Sequence, residues 1–139
     1  MKKLTFLLLI LSSVITVVFA QANFATSLKN CSSYSESGTV TTEGMDVTST
    51  KQILGKQGDR CIYKETVNFS GMNVTTTCKF TQAQINEITS VINAYSLLNQ
   101  YSENNVDTSS LEKVKNNPVV KVWNKYLQDS STCTMSGLK

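Results

Sequence analysis

Four cysteines, ten carboxylates and no histidine bound the chemistry open to this chain of 139 residues. Cys31, Cys61, Cys78 and Cys133 are separated by 30, 17 and 55 residues. A thiolate metal site needs closely spaced ligands such as C-x-x-C. An even cysteine count in a short exported chain reads instead as a disulfide framework, and oxidised cysteines leave no thiolate nucleophile. Without histidine, Ser-His-Asp and Cys-His arrangements and H-E-x-x-H zinc sites are excluded. No resident metal or cofactor is expected, and no catalytic residue is assigned.

Acid–base chemistry by carboxylates remains open. Glu65 is the one carboxylate that falls on a predicted inward strand face, where burial could raise its pKa towards that of a general acid. The plainer reading is preferred: Glu65 sits at the sheet margin or pairs with Lys64 or Lys79. Seventeen serines leave a Ser-Lys dyad open, but no local signature points to one. Three Asn-x-Ser/Thr sequons begin at Asn30, Asn68 and Asn73, the number chance placement yields. Threonines cluster at Thr41-Thr42, Thr48 with Thr50, and Thr75-Thr76-Thr77. With no regular repeat they read as soluble strand residues rather than a binding array. Trp123 and Tyr126 read as core on an amphipathic helix rather than an exposed aromatic patch. Cys133-x-Met135 is a chance-level soft-metal pair.

The compartment follows from the N-terminus. Lys2 and Lys3 precede an apolar run over 4–19, and small residues follow at Ala20 and Ala22. That is the pattern of a secretory signal. The run has 16 residues, whereas a spanning helix needs about 20. Residues 1–20 are therefore expected to be a signal peptide, cleaved after Ala20 or after Ala22. Residues 21–139 form one domain in the periplasm or outside the cell, with no stable membrane span after cleavage. The whole chain carries 13 basic and 10 acidic residues; losing Lys2 and Lys3 leaves 11 against 10. No basic run remains to neutralise phosphates, so nucleic acid is not an expected partner.

The remaining sequence supplies the elements. Phe24 and Leu28 mark a short helix over 23–30. Strands are placed at Gly38–Thr42, Met45–Leu54, Arg60–Asn68 and Met72–Phe80, separated by glycines. In the last, Met72, Val74, Thr76, Cys78 and Phe80 alternate with polar residues at period two. Thr81-x-x-Gln84 is a capping box. After it Ile85, Ile88, Val91, Ile92, Tyr95 and Leu98 form one helical face that can cover the sheet. Asn104, Asn105 and Asp107 suggest a loop, and Ser109–Glu112 a second capping box. Asn117-Pro118 opens another amphipathic helix, and a polar tail holds Cys133. The fold class is α+β: a four-stranded antiparallel β-meander with a long helix on one face and short flanking helices.

Four cysteines allow three pairings. If Phe69 pairs with Met72, Tyr63 faces Cys78; if Val67 pairs with Met72, Cys61 faces Cys78. Both registers put Cys61 and Cys78 on one face, so the expected bridges are Cys61–Cys78 and Cys31–Cys133. The spacing of Cys31, Cys61-x-Tyr63 and Cys78 before a capped helix resembles that of small bacterial secreted proteins, which implies no activity. The expected function is non-enzymatic binding of an envelope or extracellular macromolecule, as an inhibitor, adhesion component or accessory subunit. A small carboxylate-dependent hydrolase or lyase is the alternative.

Overall fold

The computed structural model describes residues 22–42, 44–99 and 116–137. The expected signal peptide, the loop near Asn104 and the capping box at Ser109 lie outside the described residues, as do the side chains of Tyr95 and Leu98. Among the described residues the architecture is α+β, with three helices and one five-stranded antiparallel sheet. In chain order the elements are α1 (Ala22–Asn30), β1 (Tyr34–Thr42), β2 (Met45–Gln57), β3 (Arg60–Phe69), β4 (Met72–Phe80), α2 (Gln82–Asn99), α3 (Pro118–Leu127) and β5 (Cys133–Ser136). The strands lie side by side in sequence order. The four-strand expectation is thus corrected: part of the presumed polar tail is a fifth strand, paired with β4 from Thr75↔Ser136 to Cys78↔Cys133.

Local chemistry sets the boundaries. The β3–β4 hairpin turns on Ser70 and Gly71, both at positive φ (48° and 78°), with Phe69 paired to Met72. Two-residue hairpin loops favour this left-handed geometry because it matches the twist of the strands. The shorter-loop register is therefore the one adopted. In β2 the pairing shifts between Ile53 and Gly55, leaving Leu54 as the extra residue of a bulge. Beyond β5, Gly137 lies so close to β4 that a Cβ there would collide with the Asn73 carbonyl oxygen.

Helix α1 ends in a Schellman motif. Ser32 N donates to Ser27 O (2.9 Å) and Cys31 N to Leu28 O (3.1 Å), with Cys31 itself at φ 49°. Glycine is the usual residue at that left-handed position. A cysteine stands there because its sulfur is bonded to Cys61. At the start of α2, Gln84 N donates to Thr81 Oγ1 (3.2 Å) and Thr81 N to Gln84 Oε1 (2.9 Å), the reciprocal capping box. The Gln84 amide also donates to Thr132 Oγ1 (3.0 Å), which donates to Asp129 Oδ2 (2.8 Å). The cap therefore ties α2 to the turn that launches β5. Thr81→Ala is expected to cost about 0.5–2 kcal/mol in a urea titration. An unchanged midpoint would show that the cap is dispensable.

Apolar residues from all three helices meet the sheet in one core. Phe24 and Leu28 of α1, Ile85, Ile88 and Ile92 of α2, and Val119, Val122, Trp123 and Tyr126 of α3 share it with Ile53, Tyr63, Cys78 and Phe80. The long helix α2 thus covers the sheet as expected, but as one of three described helices that share the core. Trp123 is at its centre, its ring centroid 5.2 Å from Tyr63 and 5.8 Å from Phe80. Core is the correct reading of Trp123 and Tyr126.

The disulfides differ from expectation. Cys31 bonds Cys61, and Cys78 bonds Cys133. Cys61 and Cys78 do share the inner face, but Cys61 is paired with Phe80 and Cys78 with Tyr63, so they are offset along the strands. Each is nearer to another cysteine: the end of α1 delivers Cys31 to Cys61, and β5 puts Cys133 opposite Cys78. The missing fifth strand is the physical reason for the error. Among the described residues no helix is long and apolar enough to cross a membrane.

Candidate functional site

The inner face of the sheet can be followed row by row across the strands. Tyr34, Ile53, Tyr63, Cys78 and Cys133 form one row under the helices. The next is Glu36, Lys51, Glu65, Thr76 and Met135, an ionic row inside the molecule. Beyond it lie Ser49, Val67 and Val74, then Val40, Val47, Phe69 and Met72. Period two along each strand and direct pairing between strands produce this stacking without any local run of charge.

Lys51 and Glu65 are each only 2% exposed. Ser49 donates to Glu65 Oε1 (2.8 Å) and the Tyr63 hydroxyl to Glu65 Oε2 (3.1 Å). At the row's edge the Tyr34 hydroxyl donates to Glu36 Oε2 (2.8 Å). Lys51 Nζ lies 5.8 Å from the Phe24 ring centroid, within cation–π range. Burial pushes the Lys51 ammonium down to about 8, against the opposing pull of Glu65 and then Glu36. Tyr34 is raised to about 12, first by burial and then by its bond to Glu36. Tyr63 is raised well above its ordinary value by burial and by Glu65.

This geometry corrects the marginal reading of Glu65. The carboxylate is inward, as its strand parity implied, but it is in the middle of the sheet and bonded there. Lys64 and Lys79 are on the opposite face and take no part. Glu65 and Ser49 are each 2% exposed, and the Ser49 hydroxyl is donated to Glu65. Cys133 is oxidised, so the Cys133-x-Met135 pair offers no thiolate. Among the described residues no group of three metal-ligating side chains converges.

The row carries a pH signature. Below pH 8 Lys51 is charged in both folded and unfolded chains, and its burial penalty is fully present. Between about 8 and the ordinary lysine value the unfolded chain binds more protons, so stability rises with pH. Above about pH 10 Tyr34 and Tyr63 reverse the trend, since only the unfolded chain ionises its tyrosines there. Urea titrations should show a gain of about 1–3 kcal/mol from pH 7 to 10, lost in Lys51→Met. A gain unchanged in that variant would show that Lys51 is not its source.

The accessible organised surface is the other side of the sheet. Ser37, Thr50, Thr66, Thr75 and Ser136 form one row across all five strands. Thr39, Thr48, Asn68 and Asn73 form a second, and Ser35, Gln52, Lys64, Thr77 and Thr134 a third. Neighbours bond across the strands: Ser37 to Thr50 (2.8 Å), Thr39 to Thr48 (2.9 Å), Thr66 to Thr75 (3.3 Å) and Asn68 Nδ2 to Asn73 Oδ1 (2.8 Å). None of these residues is buried. A sequence repeat is not needed for such an array, because its neighbours come from different strands. Period-two placement of Ser and Thr in consecutive strands was the signal that could have found it.

Elsewhere, a shallow polar groove of about 410 Å³ lies between α1 and α2, lined by Lys29, Asn86, Thr89, Ser90 and Asn93. Lys125 Nζ contacts both oxygens of Glu87 (2.9 and 3.0 Å), and the Tyr126 hydroxyl also donates to Glu87, pinning α3 to α2. Those hydrogen bonds hold the Glu87 carboxyl below its usual range. No protein family, no curated protein and no solved structure is matched by this chain.

Proposed function

We propose that the chain is the precursor of an exported, disulfide-locked binding domain that engages an envelope or extracellular macromolecule through the outer face of its sheet. The observation that supports this reading is the division of chemistry between the two faces. The buried ionic row is committed to internal bonds, whereas the outer face presents three rows of hydroxyl and amide groups to solvent. The N-terminal pattern and two disulfides fit passage into an oxidising compartment. The mature protein begins at Gln21 or Asn23 in this reading.

Co-sedimentation tests it. Mature protein mixed with washed cell-envelope fragments of its host should pellet with them, and Thr50→Val/Thr66→Val/Thr75→Val should pellet less. Protein that stays wholly in the supernatant, with every envelope fraction, would contradict the reading.

A further inference from the structure

The outer face is not uniform. Arg60, Ile62 and Lys64 follow one another at period two along β3, and Lys79 of β4 is paired with Ile62. On the β2 side the partner of Ile62 is Gly55, which has no side chain. Directly opposed residues have Cβ atoms about 5 Å apart and diagonal neighbours about 7–8 Å. Three long cationic side chains therefore surround one point of the sheet. Arg60 Nη1 donates to the Lys79 carbonyl (3.4 Å), which holds the guanidinium against β4. Among the described residues the carboxylate paired with this cluster is Asp59, 3.8 Å from Arg60 Nε and 91% exposed. Such a solvated pair neutralises little.

This cluster carries the charge asymmetry of the described residues. Arg60, Lys64 and Lys79 are set against one anion, Asp59, in this count, whereas the other described residues comprise five cations and five anions. No run of basic residues announces it, since Arg60 and Lys64 are four residues apart on β3 and Lys79 joins them only through the β3–β4 pairing. The cluster adjoins the hydroxyl rows directly: Lys64 is itself flanked by Gln52 and Thr77, and Thr66 follows on the same strand face.

We infer that the outer face docks an acidic polysaccharide, whose carboxylates meet Arg60, Lys64 and Lys79 and whose hydroxyls meet the Ser/Thr/Asn rows. This inference rests on the binding reading above and names the partner of that face. Charge complementarity selects an anion, and the rows select one rich in hydroxyls. A bilayer would cover the hydroxyls without satisfying them. A nucleic acid would be offered three cations and, among the described residues of this face, no aromatic ring for its bases.

The test uses the mature protein and immobilised polygalacturonate, with neutral dextran, phosphatidylglycerol vesicles and a single-stranded oligonucleotide as further arms. Polygalacturonate should bind and dextran should not. Affinity should fall about tenfold or more when salt rises from about 50 to about 200 mM, as release of about two to three counterions requires. Arg60→Gln/Lys64→Gln/Lys79→Gln should weaken binding at least tenfold while leaving the thermal midpoint within a few degrees. Thr66→Val/Thr75→Val should weaken it several-fold with charge unchanged. Equal binding by either variant, dextran binding as strong as polygalacturonate binding, or tighter binding to the vesicles or the oligonucleotide would overturn the inference. If polygalacturonate fails while envelope co-sedimentation persists, the partner is wrong and the binding reading stands; if both fail, both fall.

Discussion

Glu65→Ala is expected to destabilise the protein by about 3–5 kcal/mol, the scale seen when one member of a buried ionic pair is removed. Glu65 receives the Ser49 and Tyr63 hydroxyls and is the directly paired neighbour of Lys51. Its removal leaves Lys51 without that neighbouring carboxylate and two buried hydroxyls without their acceptor. The double variant Lys51→Met/Glu65→Leu should recover much of the loss, because replacing a buried pair by apolar residues of similar size is often neutral or stabilising. Urea titrations of the wild type, both single variants and the double variant complete the cycle. Additive losses would show that Lys51 and Glu65 are not coupled, and the ionic row would then be two separate features.

Removing the Cys78–Cys133 bridge is the second large effect. The bond closes a loop 55 residues along the chain and fixes the four-residue strand β5 to β4. Loss of a native disulfide from a small exported domain typically costs about 2–5 kcal/mol. Cys78→Ala/Cys133→Ala should therefore be less stable than Cys31→Ala/Cys61→Ala, whose loop of 30 residues is shorter. The difference from loop length alone is about 0.5 kcal/mol; the rest comes from undocking β5, whose pairing with β4 covers only four positions. Hydrogen exchange should show the amides of 133–136 losing protection in the first variant only. Protection retained there would mean that strand pairing holds β5 without the bond.

Much of this fold was legible because local signals and global packing agree. Period two gave Met72–Phe80, Thr81 and Gln84 gave the start of α2, and Asn117-Pro118 gave the start of α3, where Asn117 Oδ1 accepts from Val119 N at 2.9 Å. What escaped was what depends on register between distant segments. β5 has four residues and one strongly apolar side chain, Met135, too short for periodicity to identify it. Without β5, parity and the alternative hairpin register leave Cys61 as the expected partner of Cys78. The ionic row and the basic cluster escaped for the same reason. Residues 36, 51 and 65 are neighbours only across strands, and residue 79 joins 60 and 64 only across the β3–β4 pairing. Charge runs along a sequence report tails and exposed helices well, but they are blind to what an antiparallel meander places side by side.

The most direct test is non-reducing peptide mapping by mass spectrometry on protein isolated from its native compartment. An exported, oxidised domain with five strands requires one linked peptide pair containing Cys31 and Cys61 and another containing Cys78 and Cys133. It also requires an N-terminus at Gln21 or Asn23. Cys61 linked to Cys78 would contradict the placement of β5, and four free thiols on a chain that retains Met1 would contradict export into an oxidising compartment.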